Sequence, residues 1–410
     1  MTLLAVLFAV SLQAGEQPPA KPVAIRGGRL YTGAGAPLDS ATVLVEKGLI
    51  TAVGKDVPVP ADATVTDATG KVLIPGLIDA ASRLYTVARD VSPGSAEQRA
   101  LDGLDFYAPD VAEVVQAGVT TVYVGPVSGG VLNGLGVILH LDPAHTVLQN
   151  DAALKLTLGA SGGDSSTSLE RYQSYSQLRQ AFDAARAYAE AWEKYRHDSA
   201  EYEQAKKDKK ADANEPTKPK TDPRPELLLR TMDPKKPLIV RMEAHSADAI
   251  LLALKLIDDY KLRAVLEYAT EGGPVATAIA KAKIPAVVGP VFRLGPYSVD
   301  YLNHSPATAS LLVNAGVPVA IASFGDERAG LQGAGGSRFL LESAAFAGSR
   351  GLTREQALAT VTIDAARILG IDKTHGSLEK GKVADMVLLS GEPFESGTRV
   401  ERVWIDGRTR

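Results

Sequence analysis

The stretch that most constrains the fold runs from residue 71 to residue 84, Lys-Val-Leu-Ile-Pro-Gly-Leu-Ile-Asp-Ala-Ala-Ser-Arg-Leu. Two short apolar runs, residues 72–74 and 77–78, are separated by Pro75-Gly76. Proline cannot donate a hydrogen bond to a β-ladder and glycine favours turn conformations, so this pair interrupts a strand. The pattern therefore predicts that one sheet ends here and that a second sheet begins.

The sequence pattern at the two ends of the chain differs from the pattern in its middle part. Residues 22–70 hold short β-branched runs with glycine turns, which indicates a small antiparallel sheet, and residues 384–389 and 400–405 read as two further strands. Between them, short apolar strands alternate with helical segments, as in a parallel barrel. The candidate barrel strands are the run after Pro75 and residues 121–124, 137–139, 154–157, 238–242, 264–267, 286–288 and 319–322. Eight strands predict a (β/α)8 barrel, whose chemistry lies at the carboxyl ends of the strands.

One segment interrupts this alternation. Residues 168–208 carry apolar and aromatic residues at helical spacing and end in a lysine-rich run, which a Pro/Lys/Asp linker follows. A basic docking arm is one interpretation. Acidic residues interleave the lysines, so we favour a helical insertion, about residues 168–232, that packs on the barrel and exposes a solvated tip.

Residues 71–84 resemble a motif of the amidohydrolase superfamily, in the branch called imidazolonepropionase-like. There the same Pro-Gly-Leu-Ile-Asp-Ala stem continues into His-x-His, whose two imidazoles bind a catalytic metal at the end of the first barrel strand. Residues two apart on a strand point to one face, which suits metal ligation. Residues 376–382, followed by Ala384-Asp385, match a second family motif. The resemblance implies an α/β fold in which residues 15–76 and 376–410 form a composite β-sandwich beside a (β/α)8 barrel of residues 77–375.

The resemblance also implies where the metal ligands belong. Ala81 and Arg83 stand at the His-x-His positions, and Lys155 keeps the lysine of the fourth strand. Glu243 stands where the fifth-strand His belongs, and a further His, His245, is two positions later. The remaining positions are Tyr268 for the sixth-strand His, Phe324 for the eighth-strand Asp, and Asp326 two residues beyond it.

These substitutions predict that the metal centre of the family, Zn²⁺ or another divalent ion, is absent and that the chain holds no cofactor. Zn²⁺ needs three or four well-placed N or O donors, and Arg83 is a permanent cation aimed at the position of the metal. We expect Arg83 and Glu243 to pair in its place, with Lys155, His245 and Asp326 near them as further partners. The aromatic side chains at the remaining ligand positions should fill volume.

Two functions compete on this evidence. The first is a catalytically inactive pseudoenzyme that keeps a pocket for binding or assembly, as a homo-oligomer, as a hetero-oligomer with an active relative, or with an unknown small molecule. The second is a divergent hydrolase of carbon–nitrogen bonds that uses Glu243, His245, Lys155 or Asp326 in a rebuilt site. The replaced ligand positions favour the first, although the fold alone does not choose between them.

The amino-acid composition limits the kinds of binding partner and metal site that are expected. A formal net charge of −4 over 410 residues gives no reason to expect nucleic acid or an anionic membrane as a partner. The chain has no cysteine, so any metal would need His, Asp, Glu or Lys-derived ligands. Residues 3–12 are apolar and residues 16–19 are polar and proline-rich, which indicates a signal peptide of residues 1–14 and export to the periplasm or the medium. A buried N-terminal helix is the alternative, and no other stretch predicts a membrane span.

Overall fold

The structure is a computed structural model that describes residues 21–86, 95–126, 129–159, 168–208, 214–291, 303–325 and 336–410. The predicted signal peptide and Asp326 lie outside these ranges, so export stays a prediction.

Sixteen strands occur in the described residues, and they form two sheets. They are β1 (Val23–Leu30), β2 (Leu38–Glu46), β3 (Leu49–Gly54), β4 (Thr64–Asp67), β5 (Val72–Pro75), β6 (Leu77–Ser82), β7 (Val119–Val124), β8 (Leu132–His140), β9 (Val147–Thr157), β10 (Ile239–Ala244), β11 (Ala264–Tyr268), β12 (Ala286–Val288), β13 (Val319–Ile321), β14 (Met386–Leu389), β15 (Val400–Ile405) and β16 (Arg408–Thr409).

The first sheet, which we call the composite sheet, is built from both ends of the described chain. Its strands follow the order β16-β15-β14-β5-β1-β2-β3, with β4 paired to β1. The antiparallel pairing of β14 with β5 joins the C-terminal strands to the N-terminal ones. The layering of these strands into a β-sandwich stays a prediction.

The predicted change of sheet at Pro75-Gly76 is confirmed, because β5 belongs to the composite sheet and β6 to the second sheet. Glycine is required between them, since a side chain at Gly76 would collide with the side chain of Thr120. The second sheet holds the eight predicted barrel strands in the order β6 to β13. Its edges approach each other where Phe324 N donates to the Ala81 carbonyl (2.8 Å), so the sheet is nearly closed.

One barrel strand departs from the predicted parallel arrangement. Strand β8 runs antiparallel to both β7 and β9. The segments that connect it, residues 125–131 and 141–146, are too short for a crossover, which needs about a dozen residues. Gly134 and Gly136 both lie inside β8, where a side chain at Gly136 would collide with the Tyr123 hydroxyl.

Nine α-helices occur in the described residues. They are α1 (Val111–Gln116), α2 (Ser168–Lys207), α3 (Pro223–Thr231), α4 (Ala247–Tyr260), α5 (Ala276–Ala282), α6 (Thr308–Asn314), α7 (Leu340–Gly348), α8 (Arg354–Ala359) and α9 (Ile363–Leu369). Local capping sets some ends: Ser246 accepts the Ala249 N–H at the start of α4, and Thr353 and Gln356 form a capping box on α8.

Helix α2 lies in the segment for which the sequence predicts a helical insertion. Its first half packs through Leu178, Phe182 and Ala185, which are fully buried, and Phe182 stacks on Tyr260 of α4 with ring centroids 4.7 Å apart. Its second half carries no buried residue. Within the described ranges, no helix combines the length and apolarity that a membrane span requires.

Candidate functional site

The candidate site lies at the carboxyl ends of the barrel strands. Ala81 is on β6, Lys155 on β9, Glu243 on β10 and Tyr268 on β11, while Phe324 follows β13. The structure therefore brings the residues that the sequence singled out together at the carboxyl end of the barrel. Asp326 lies outside the described ranges. Strands β9, β10 and β11 pair in parallel, so their carboxyl ends lie side by side and residues far apart in the sequence come together there.

Four buried charged residues form the centre of this site, and we call Lys155, Arg241, Glu243 and Glu267 the barrel-end cluster. Lys155 Nζ lies 2.9 Å from Glu243 Oε2 and 3.3 Å from Glu267 Oε2. Arg241 Nε donates to Glu267 Oε1 at 2.6 Å, and Arg241 Nη2 donates to the Ala80 carbonyl at 2.8 Å. All four residues are less than a tenth exposed. Two cations thus face two carboxylates.

This arrangement shifts the pKa of the Lys155 amine and the pKa of the Glu267 carboxyl so that both groups favour their charged forms. Burial alone would lower the pKa of Lys155, but Glu243 and Glu267 hold it above its ordinary value. Burial alone would raise the pKa of Glu267, but Lys155 and Arg241 hold it below its ordinary value. Opposite charges at this separation outweigh desolvation, so the pair stays ionised at neutral pH.

Aromatic side chains cover the cluster. The rings of Tyr268 and Phe324 stack with centroids 4.0 Å apart, and His245 packs on the other side of Tyr268 with centroids 4.5 Å apart. Both Tyr268 (φ 66°) and Phe324 (φ 49°) adopt the left-handed backbone region. Such conformations cost about 1–3 kcal/mol each and persist where the surrounding structure enforces them. Burial raises the pKa of Tyr268, which keeps its hydroxyl neutral.

His245 contacts the cluster without joining it closely. Its Nδ1 lies 2.9 Å from Thr270 Oγ1, and its Nε2 lies 3.6 Å from Glu243 Oε1. An imidazole beside a carboxylate is an arrangement that general bases use. This contact is therefore the feature of the site that agrees best with the second function, a hydrolase with a rebuilt site.

A third buried carboxylate ties the two edges of the barrel together. Asp79 on β6 accepts hydrogen bonds from Ala81 N (3.2 Å), Ser323 N (3.1 Å) and Ser337 Oγ (2.7 Å). Burial raises its pKa above the ordinary value. Asp79 therefore has a structural role in closing the sheet where the ligand positions converge.

The predicted pairing of Arg83 with Glu243 is corrected. Between described residues, the cation that binds Glu243 is Lys155, which reaches it from the neighbouring strand. The positive charge of Arg83 instead acts on Tyr268, where it partly opposes the rise in pKa that burial causes. Sequence reasoning also missed Arg241 and Glu267. The signal was present, because Arg241 lies two residues before Glu243 and so faces the same side of its strand.

The described residues at this end of the barrel do not fit a divalent metal. The two carboxylates that could bind one already hold the ammonium of Lys155, and Ala81 and Phe324 offer no donor atom. Within the described ranges, every set of three clustered His, Asp or Glu ligands lies elsewhere in the chain. The space left between Ala81, Arg83, Lys155 and Tyr268 is a cavity of about 20 Å³, which holds roughly one water molecule.

Comparison with known proteins shows which families this chain is similar to. A family model described as "Amidohydrolase family" matches residues 303–410. An amidohydrolase from Thermotoga maritima MSB8 superposes with a TM-score of 0.77 at 27% identity, over 94% of this chain and 99% of that one. A Xaa-Pro dipeptidase with bound methionine superposes with a TM-score of 0.58 at 14% identity, over 95% and 100%, which shows the fold alone.

Curated relatives match a shorter part of the chain. An imidazolonepropionase of Acinetobacter baumannii (strain AB307-0294) is 40% identical over 124 residues, which is 30% of this chain. The match spans only 28% of the length of that relative. The fold is similar to that of amidohydrolase-type barrel proteins. The chain is similar to the amidohydrolase superfamily and, over part of its length, to its imidazolonepropionase-like branch.

Proposed function

We propose that this chain is a catalytically inactive amidohydrolase, in which the barrel-end cluster has replaced the metal centre and which acts by binding or assembly. The observation that carries the proposal is the ammonium of Lys155, which sits 2.9 Å from Glu243 and 3.3 Å from Glu267. A metal-dependent hydrolase needs a cation that polarises a carbonyl and lowers the pKa of a bound water. An ammonium held by two carboxylates does neither.

Charge compensation supports this proposal. Together Lys155 and Arg241 supply two positive charges, the same charge as one divalent ion, and they balance Glu243 and Glu267. Removing one partner of a buried ion pair leaves an uncompensated charge and is strongly destabilising. The charge balance of the cluster therefore stabilises the fold, whether or not the cluster takes part in catalysis.

Volume supports it as well. Ligand pockets measure about 300–1,000 Å³, whereas the described side chains leave about 20 Å³ beside Lys155 and Tyr268. The side chains that replace the ligands fill the place where a substrate would meet a metal. We therefore favour assembly, with a second copy of the chain or with an active relative, over binding of a small molecule at this position.

The test uses the full chain, purified without chelators, and its Glu243→Ala and His245→Ala variants. Hydrolysis of imidazolones, other cyclic amides and Xaa-Pro dipeptides is measured with and without added Zn²⁺, Mn²⁺ or Fe²⁺, and bound metal is quantified per chain. The proposal expects no hydrolysis, and a metal content that neither variant changes. Turnover that both variants abolish, or bound metal that disappears with Glu243→Ala, would establish the rebuilt hydrolase instead.

A further inference from the structure

A second buried polar cluster lies at the opposite end of the barrel, where the barrel meets the composite sheet. His140 ends β8, and because β8 is antiparallel it pairs with Thr121 near the start of β7. Asp385 directly precedes β14 of the composite sheet, and its carbonyl accepts the N–H of Gly76 (2.9 Å). We call His140, His375, Asp385 and Asp406 the interface cluster.

Three of these residues bring donor atoms together in the protein interior. His140 Nε2 lies 2.8 Å from Asp385 Oδ2, and the rings of His140 and His375 are 5.3 Å apart at their centroids. One ligand atom from each of His140, His375 and Asp385 lies within 4.8 Å of the other two. Their exposed fractions are 3%, 5% and 6%.

His375 carries a donor atom that the described protein leaves unused. Its Nδ1 lies 2.8 Å from Thr374 Oγ1. Its Nε2 is buried and has no hydrogen-bond partner among the described residues. A buried polar atom without a partner is costly, so native structures rarely keep one without a reason such as a bound ion. When Nδ1 carries the proton for Thr374, Nε2 presents a free lone pair to the cluster.

The charges around this lone pair favour a cation. Asp385 and Asp406 are both carboxylates, and one ligand atom each of His140, Asp142 and Asp406 lies within 4.8 Å of the other two. Between described residues, no Lys or Arg forms an ion pair or a hydrogen bond with Asp385 or Asp406, whose ion-pair partner is His140. Among the described residues, the direct partner of these carboxylates is thus the imidazole of His140, while Lys382 and Arg410 act on the cluster only through longer-range charge interactions.

The surroundings resemble the outer shell of a metal site. Asp406 Oδ2 lies 3.9 Å from His140 Nδ1, on the ring nitrogen that does not face Asp385. Metal-binding imidazoles commonly direct their second nitrogen toward a carboxylate, which fixes the ring and increases its basicity. The side chain of Asp406 is 41% exposed, so an ion can reach the cluster from solvent along this side.

We propose that His140 Nε2, His375 Nε2 and the Asp385 carboxylate bind one divalent transition metal, for which Zn²⁺ is the best match. Two imidazoles and a carboxylate are ligands that Zn²⁺ takes, and a water molecule completes four-coordination. The ion replaces the direct hydrogen bond between His140 and Asp385. Because His140 belongs to the barrel and Asp385 borders the composite sheet, the metal fastens the two sheets together.

The test titrates Zn²⁺ into the full chain after chelator treatment and dialysis, by calorimetry and by elemental analysis of the gel-filtered protein. We expect one Zn²⁺ per chain and at least a tenfold loss of affinity in both His375→Ala and Asp385→Asn. The matched control is His197→Ala, which removes the exposed group of His197, Asp198 and Glu201 on α2 and should leave binding unchanged. No stoichiometric binding, or a loss of binding with His197→Ala instead, would overturn the proposal.

A second measurement does not depend on whether the variants fold. Co²⁺ added to the stripped wild-type chain should give the strong visible absorption of a four-coordinate ion, and Zn²⁺ should displace it. If the chain shows nothing beyond the weak absorption of hydrated, six-coordinate Co²⁺, the proposed site is refuted.

Discussion

The two polar clusters of this protein differ in how their charges are balanced. At the carboxyl ends of the barrel strands, Lys155 and Arg241 face two carboxylates, and every charge has a partner of opposite sign within 3.3 Å. At the other end, Asp385 and Asp406 face imidazoles, and His375 Nε2 is left without a hydrogen-bond partner among the described residues. The charges of the first cluster are paired within the cluster. Among the described residues, the second cluster leaves the His375 Nε2 atom without a hydrogen bond, and its two carboxylates contact no Lys or Arg side chain.

The difference teaches that family position alone is a poor guide to where a metal binds. The strand ends are where relatives of this fold are expected to hold metal, yet the residues there supply their own cations. The donor set that suits a divalent ion lies instead where the resemblance predicts none. Local charge and unsatisfied donors, rather than position in the fold, decide between the two ends.

The largest effect should come from removing the cation at the barrel end. Lys155→Met leaves Glu243 and Glu267 facing each other in the interior, and we expect a loss of about 3–5 kcal/mol in the free energy of unfolding at pH 7. Chemical denaturation measures this loss. Lys155→Arg, which keeps the charge, is the control and should lose less; a change below about 1 kcal/mol in Lys155→Met would show that the cluster is not the balanced unit described above.

The next effect concerns the interface cluster. Free Zn²⁺ at one hundred times its dissociation constant should stabilise the wild-type chain by about 2.7 kcal/mol. Thermal unfolding with and without Zn²⁺ measures this gain, which should vanish in His375→Ala and persist in Lys155→Met. A gain that Lys155→Met removes would reverse the roles of the two clusters.

The pH dependence of the Lys155→Met variant gives a smaller effect. In the wild type the pKa of Glu267 is lowered, so its stabilisation is present above the unfolded value and is lost as the pH falls through the folded value. Without Lys155 that pKa rises, and acidification protonates the carboxylate that needs the cation. The deficit of the variant should therefore shrink between pH 7 and pH 4, by about 1.4 kcal/mol per unit of pKa shift. A constant deficit across this range would mean that the loss is one of packing and not of charge.

The smallest effect is expected for Arg83→Ala. Because Lys155, and not Arg83, binds Glu243, this substitution should cost about 1 kcal/mol, the ordinary value for a point substitution. Denaturation beside Lys155→Met gives the comparison. A cost equal to that of Lys155→Met would restore the pairing that the sequence suggested for Arg83.

The sequence by itself determined the change of sheet at Pro75-Gly76 and the eight strands of the second sheet. These features are local, since strand periodicity, turn residues and short motifs are written in neighbouring residues. The same local logic could have drawn attention to Arg241, which shares a strand face with Glu243.

Only the tertiary structure decided which charges meet. Glu243 has Lys155 on the strand beside it and Arg83 nearby in the same barrel end, and only the packed side chains choose between them. His140 and Asp385 are 245 residues apart in sequence and meet only because an antiparallel strand returns to the barrel end that borders the composite sheet. No spacing in the sequence encodes such a contact, because the packing of two sheets, and not the neighbouring residues, brings its donor atoms together.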